Sequence, residues 1–196
     1  MHAADLDFLF AERSHKDGLN VIIASGSVAA ANLGGLVAQL DALDAGPVVV
    51  ILTKAARQFV SPLTIRHLGG CPVLQEETCA PAFREPLHVW LTDVARRVLV
   101  YPASAGFLGR VAAGLATDLA STTLLCATGI PSLVVPSMHS RMWSNCLVQQ
   151  NIKRLIHAGI SVLDPAGGMA PPVDDVIATF LKLDPGVHAT KEREKK

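Results

Sequence analysis

NVIIASGSVAAANLGGLVAQLDAL, residues 20–43, settles the architecture. Val21-Ile22-Ile23-Ala24 is an unbroken apolar run, the pattern of a strand buried on both faces rather than on alternate residues. Ser25-Gly26-Ser27 interrupts it, and an Ala-rich helical stretch follows from Val28 to Leu43. Strand, tight turn and helix open a β-α-β unit, and the alternation repeats to the end of the chain. The expected fold is α/β, a three-layer doubly wound parallel sheet with helices on both faces.

PVVVILT (47–53) reads as the second strand. A helical piece at Ala55–Phe59 leads to Pro62, which starts a helix that stops at Gly69-Gly70. Residues 71–86 read as an irregular loop and His88–Ala95 as a short helix. RVLVY (97–101) is a strand ended by Pro102, and a helix from Gly106 to Leu125 follows, with a break near Asp118. Ser132–Val135 is a strand ended by Pro136, Ser140–His157 a helix, and Ile160–Leu163 the last strand. DPAGGMAPP (164–172) is a loop and Val173–Leu183 the closing helix. Residues 1–183 are expected to form one domain, and 184–196, a charged tail, to be disordered.

Half of the 196 residues are hydrophobic and 17% are charged, fewer than the quarter or so usual in soluble domains. Mean hydropathy is +0.37. Seventeen basic residues balance seventeen acidic ones, which gives no reason to expect a nucleic acid or an anionic membrane as partner. So many apolar residues with so few charges point to self-association. The first residues carry acids before any apolar run, unlike a secretory signal, so a cytoplasmic location is expected. Pro131 and Pro136 break the longest uncharged stretch, Leu119–Ser140, and argue against a membrane helix. Cys71, Cys79, Cys126 and Cys146 form no CxxC pair. They are expected to be reduced and mostly buried, with 71 and 79 the exceptions, and the histidines show no metal-ligand spacing.

In a parallel α/β sheet ligands bind beyond the carboxyl ends of the strands. The first tip, Ser25-Gly26-Ser27, offers backbone N–H groups and hydroxyls at a helix start, an arrangement that holds phosphate. It is neither GxGxxG nor a P-loop, so a mononucleotide phosphate fits better than a dinucleotide. The alternative is an ordinary helix cap in which Ser25 or Ser27 bonds the first turn.

Two further tips, PASAGF (102–107) and PSMHSRMW (136–143), resemble the PASANT and PxMNxxMW signatures of the homo-oligomeric flavin-containing cysteine decarboxylases. In that family a histidine begins a short helix fourteen residues before the first motif, as His88 does here relative to Pro102. TDLASTT (117–123) resembles the family's flavin segment, and Thr53-Lys54-Ala55-Ala56 followed by Phe59 its second flavin loop. The resemblance implies a flavodoxin-like or Rossmann-like domain binding FMN rather than FAD. It implies flavin contacts from Ser25, Gly26, Ser27, Thr53, Lys54, Phe59, Ala103, Ser104, Ser121, Thr122 and Thr123. It implies His88 as catalytic base, an imidazole able to accept a proton near neutral pH. It further implies trimers, several of which can form a dodecamer, with active sites between subunits.

Family members oxidise a cysteine to a thioaldehyde whose β-thioketo acid loses carbon dioxide and leaves an enethiolate. The resemblance places the substrate against Gly106, Met138, His139, Gly167, Gly168 and Met169. Three positions depart from the family: its two asparagines are Gly106 and His139 here, and the threonine of its first motif is Phe107. A lost donor to a carboxylate removes about 1.5–3 kcal/mol unless replaced, and either the Gly106 N–H or the His139 side chain could replace it. The phosphopantothenoylcysteine enzymes carry an Ala-Cys-Gly after the last strand whose cysteine reduces the enethiolate. The loop 164–172 is short and has no cysteine. The expected substrate is therefore the C-terminal cysteine of a ribosomally made precursor peptide, with Gly167 and Gly168 hinging a mobile clamp. The alternatives are phosphopantothenoylcysteine itself, or a non-catalytic partner subunit.

Overall fold

The computed structural model describes residues 18–75 and 86–183. Its strands are β1 (Leu19–Ala24), β2 (Val48–Leu52), β3 (Val73–Gln75), β4 (Ala95–Ala103), β5 (Ser132–Pro136) and β6 (Ser161–Val162). All pairings are parallel, in the order β3-β2-β1-β4-β5-β6. That is the Rossmann order of the doubly wound sheet, and it reverses between β1 and β4, where a crevice opens at the carboxyl ends.

The helices are α1 (Leu33–Ala42), α2 (Pro62–Gly69), α3 (Leu87–Val94), α4 (Ala105–Ala112), α5 (Leu119–Cys126), α6 (Ser140–Trp143), α7 (Cys146–His157) and α8 (Val173–Leu181). Alternate residues of each strand face opposite layers. Val21 and Ile23 of β1, Val49 and Ile51 of β2 and Val98 and Val100 of β4 meet α3, α4, α5 and α7. Ile22, Val50, Leu99 and Tyr101 meet α1, α2 and α8. Each such aliphatic side chain contributes about 1.5–3 kcal/mol by leaving water, which is why the strands read as continuous apolar runs. No helix among the described residues is long and apolar enough to cross a membrane.

Several boundaries differ from the sequence reading, for physical reasons. The segment expected as loop from residue 71 contains β3, whose Val73 and Leu74 are buried beside β2; residues 76–85 and 184–196 lie outside the described residues. The first helix opens as a 3-10 turn, Val28–Asn32, before α1. β4 continues through Pro102 because the proline carbonyl still accepts from the Ser25 N–H at 3.0 Å. The expected helix 106–125 is α4 and α5, and the break is the start of α5: Asp118 caps it, accepting from Ser121 N at 2.7 Å while Ser121 Oγ accepts from Asp118 N at 3.1 Å. The expected helix 140–157 is α6 and α7, divided where Asn145 Oδ1 accepts from Leu147 N at 2.9 Å. Ser61 and Gly70 (φ +57°) delimit α2 as expected.

At the opposite edge from the strand tips, buried Arg97 closes the fold. Its guanidinium donates to Asn20 Oδ1 and to the carbonyls of Phe180 and Leu181, and lies 5.0 Å from the Phe180 ring. It thereby satisfies the end of α8, and burial pushes its pKa below the ordinary arginine value.

Candidate active site at the strand tips

The loop after β1 is locked to the loop after β4. Ser25 Oγ donates to the Pro102 carbonyl at 2.9 Å and accepts from Ser104 N at 2.7 Å, with Ser104 Oγ at 3.2 Å. Ser104 is also the cap of α4, its Oγ facing Phe107 N at 3.4 Å. Ser27 starts the 3-10 turn but makes no side-chain cap. Its Oγ instead meets Ser137 Oγ at 2.8 Å, which joins the β1 and β5 tips. The helix-cap alternative for Ser25 and Ser27 is thus not what the chain adopts; both hydroxyls cross between strands.

Beside these loops lies a cleft of about 400 Å³ lined by Ser25, Gly26, Thr53, Lys54, Ala55, Ser104, Arg110, Thr117 and Asp118. Gly26 is required by space: a Cβ there would lie 2.5 Å from the Ala55 Cβ. Thr53 is buried and its Oγ1 accepts from Ala56 N at 3.2 Å, which fixes the second loop. Lys54 is exposed. Buried Ala103 supports the floor without lining the cleft, and Phe59 is 44% exposed outside it.

The segment 117–123 enters the cleft through different residues than expected. Ser121 and Thr123 are buried, their hydroxyls bonded to Asp118 and to the Leu119 carbonyl, and Thr122 Oγ1 donates to the Asp118 carbonyl at 2.8 Å. Thr117 and Asp118 face the cleft, with Arg110. Arg110 NH2 is 3.1 Å from Asp118 Oδ2. The sequence did carry a signal for it: Arg110 is the sole charged residue between Arg97 and Asp118, on an otherwise apolar helix. Its partner is eight residues away, beyond the spacing by which helical pairs are recognised.

The second half of the expected site forms a separate group at the β5 and β6 tips. The Met138 N–H donates to the Gly168 carbonyl at 2.7 Å, and a Cβ on Gly168 would lie 2.8 Å from the Met138 carbonyl oxygen and 3.0 Å from the Trp143 Cβ. Gly167 and Gly168 adopt φ +71° and +98°, a region that favours glycine. The loop expected as a mobile clamp is docked here through buried Gly168 on Met138 and α6. Met138 and Trp143 are partly buried against the core, whereas Met169 is 73% exposed. His139 caps α6, its Nδ1 accepting from Arg141 N at 3.2 Å, so in the neutral ring Nε2 carries the proton and points a donor outward. Gly106 is exposed and a Cβ there would meet nothing within 4 Å, so no steric need explains glycine at this position.

His88 occupies the first turn of α3, half-buried, and its imidazole is not among the groups lining the cleft. The cysteines also depart from expectation. Cys71 is buried, while Cys126 and Cys146 are exposed because they fall at outward-facing helix ends; Cys79 lies outside the described residues. Among the described residues no group of histidines, cysteines and acids could hold a metal.

Known proteins share this fold. The chain is 37% identical over 145 residues to the Coenzyme A biosynthesis bifunctional protein CoaBC of Vibrio vulnificus (strain YJ016), over 74% of this chain and 35% of that protein. It thus spans about a third of the length of the curated relatives it matches. Among solved structures, the FMN-dependent cysteine decarboxylase SpaF superposes with a TM-score of 0.75 at 27% identity, over 85% of this chain and 95% of that one. A mutant PPC decarboxylase superposes with a TM-score of 0.75 at 25% identity, over 83% and 95%. The sheet order and these neighbours describe one fold, that of the flavin-dependent cysteine decarboxylases. With the flavoprotein family model matching residues 10–188, the chain belongs to the flavoprotein family.

Proposed function

We propose that the protein binds FMN in the strand-tip cleft and catalyses oxidative decarboxylation of the C-terminal cysteine of a ribosomally made precursor peptide, leaving an aminoenethiol. The cleft residues fit a phosphorylated flavin. Gly26 lets the first loop close against Ala55 at the cleft wall, and Asp118, the one acid among the described residues lining the cleft, is already engaged by Arg110 and Ser121. A cleft of about 400 Å³ suits a mononucleotide better than the larger FAD. Bound flavin would supply a two-electron acceptor for the cysteine side chain.

The protein's own groups would bind and orient the peptide. His88 would take the proton released as the Cα–Cβ–S unit is oxidised. The His139 Nε2–H and the Gly106 N–H would hold the carboxylate. His88 lies off the cleft of its own chain, and Val28, Leu63 and Leu68 are more than half exposed. Both observations favour a homo-oligomer in which a neighbour completes the site; trimers and assemblies of trimers are the form that the family resemblance implies.

The observation that carries the peptide reading is the loop 164–172, which has no cysteine. None of the described cysteines lines the cleft, so no described thiol is placed to return hydrogen to the enethiol. The second reading, phosphopantothenoylcysteine decarboxylation, is favoured by the identity to CoaBC. The two are separated by mass. Incubation of the flavin-loaded protein with short Cys-terminated peptides should remove carbon dioxide and two hydrogens, and His88→Asn should reduce turnover by about 100-fold or more while flavin stays bound. Loss of carbon dioxide alone from phosphopantothenoylcysteine, with peptides untouched, would establish the second reading instead. Full activity of His88→Asn would remove His88 from the mechanism.

A further inference from the structure

Arg110 is not accounted for by the sequence motifs, yet it lines the cleft, and its surroundings constrain what it can do. Asp118 Oδ2 takes one N–H of the guanidinium at 3.1 Å. Asp118 Oδ1 is occupied by Ser121 N and Oγ, both at 2.7 Å, so the carboxylate that positions Arg110 is itself held by the start of α5. The Phe107 ring lies 5.8 Å below the guanidinium. The Arg110 Nε is buried without a hydrogen-bond partner, and the side chain as a whole is 35% exposed. The guanidinium is therefore fixed on one edge and one face, with its remaining terminal N–H groups available to the cleft. Lys54 lines the same cleft, so its two cations outnumber Asp118, the one acid among the described lining residues, and the lining, which also includes Ser25, Thr53, Ser104 and Thr117, accepts an anion.

We infer that Arg110, held by Asp118, is the residue by which the cleft selects a phosphorylated flavin over an unphosphorylated one. The inference rests on the flavin reading and adds its specificity determinant. A planar guanidinium fixed in one orientation matches the oxygens of a phosphate in a bidentate way, which the point charge of a lysine does not reproduce. The neutral ribityl chain and ring of riboflavin cannot use that charge.

The test titrates purified, flavin-free protein with FMN and with riboflavin, read by quenching of flavin fluorescence. The wild-type chain should prefer FMN. Arg110→Met should lose that preference by about tenfold or more while riboflavin affinity stays within about twofold, which also reports that the cleft is folded. Arg110→Lys should recover part of the preference. An unchanged FMN-to-riboflavin ratio in Arg110→Met overturns the inference and leaves the flavin reading standing. Equal loss of both ligands overturns it too, because Arg110 would then be supporting the ring or the fold. If the wild-type chain binds neither flavin, the flavin reading itself fails.

Discussion

The cleft at the β1, β2 and β4 tips and the group at the β5 and β6 tips are built in opposite ways. In the cleft, buried Ser25 is bonded across to the loop after β4, buried Thr53 fixes its own loop, Asp118 is engaged by Ser121 and Arg110, and Gly26 abuts the neighbouring loop. At the second group a four-residue helix carries an exposed His139, Met142 is 48% exposed and Met169 73%, and the loop is tied on by one backbone hydrogen bond and the fit of Gly168. One region is tied together internally; the other is held by fewer contacts and is open to solvent. Preorganisation suits a cofactor retained through many turnovers, and an open surface suits a substrate that comes and goes.

The largest break in this contrast should come from Gly26→Val. Its branched side chain enters space where even a Cβ lies 2.5 Å from Ala55, so the protein should purify without flavin absorbance and lose about 1–3 kcal/mol in denaturant unfolding. Gly168→Ala comes next. Alanine at φ +98° is strained by about 1–3 kcal/mol and its Cβ would press on the Met138 carbonyl, so peptide turnover should fall about tenfold or more in steady-state assays while flavin affinity is unchanged. Loss of flavin in this variant would show that the two regions are one unit. The smallest effect should be Gly106→Asn, which meets open space. It should fold normally and lower the KM for a Cys-terminated peptide by up to about tenfold by restoring a carboxylate donor.

The sheet and its tips were legible in the sequence because buried parallel strands must be continuous apolar runs and because the crevice must open at their carboxyl ends. The Gly26, Thr53 and Ser104 positions followed from that rule and line the cleft. Helix interruptions were harder. The break at Asp118 showed in the sequence, but Asn145 breaks a pattern whose apolar residues continue on both sides of it, so periodicity alone ran straight through. β3 was missed because a three-residue edge strand offers too few apolar positions to stand out from a loop. The roles of Arg110 and of Ser121–Thr123 depend on which way a capped turn faces, and that is set by a salt bridge eight residues long that no local pattern encodes.

Whether the cysteine is oxidised and left oxidised is decided by mixing flavin-loaded protein with one equivalent of a Cys-terminated peptide in the absence of oxygen and following flavin absorbance. The flavin bands should bleach and stay bleached until oxygen is admitted, and the peptide should have lost carbon dioxide and two hydrogens. Absorbance that never bleaches, or that recovers without oxygen as a saturated product forms, would mean that net oxidation of a peptide cysteine is not what this protein does.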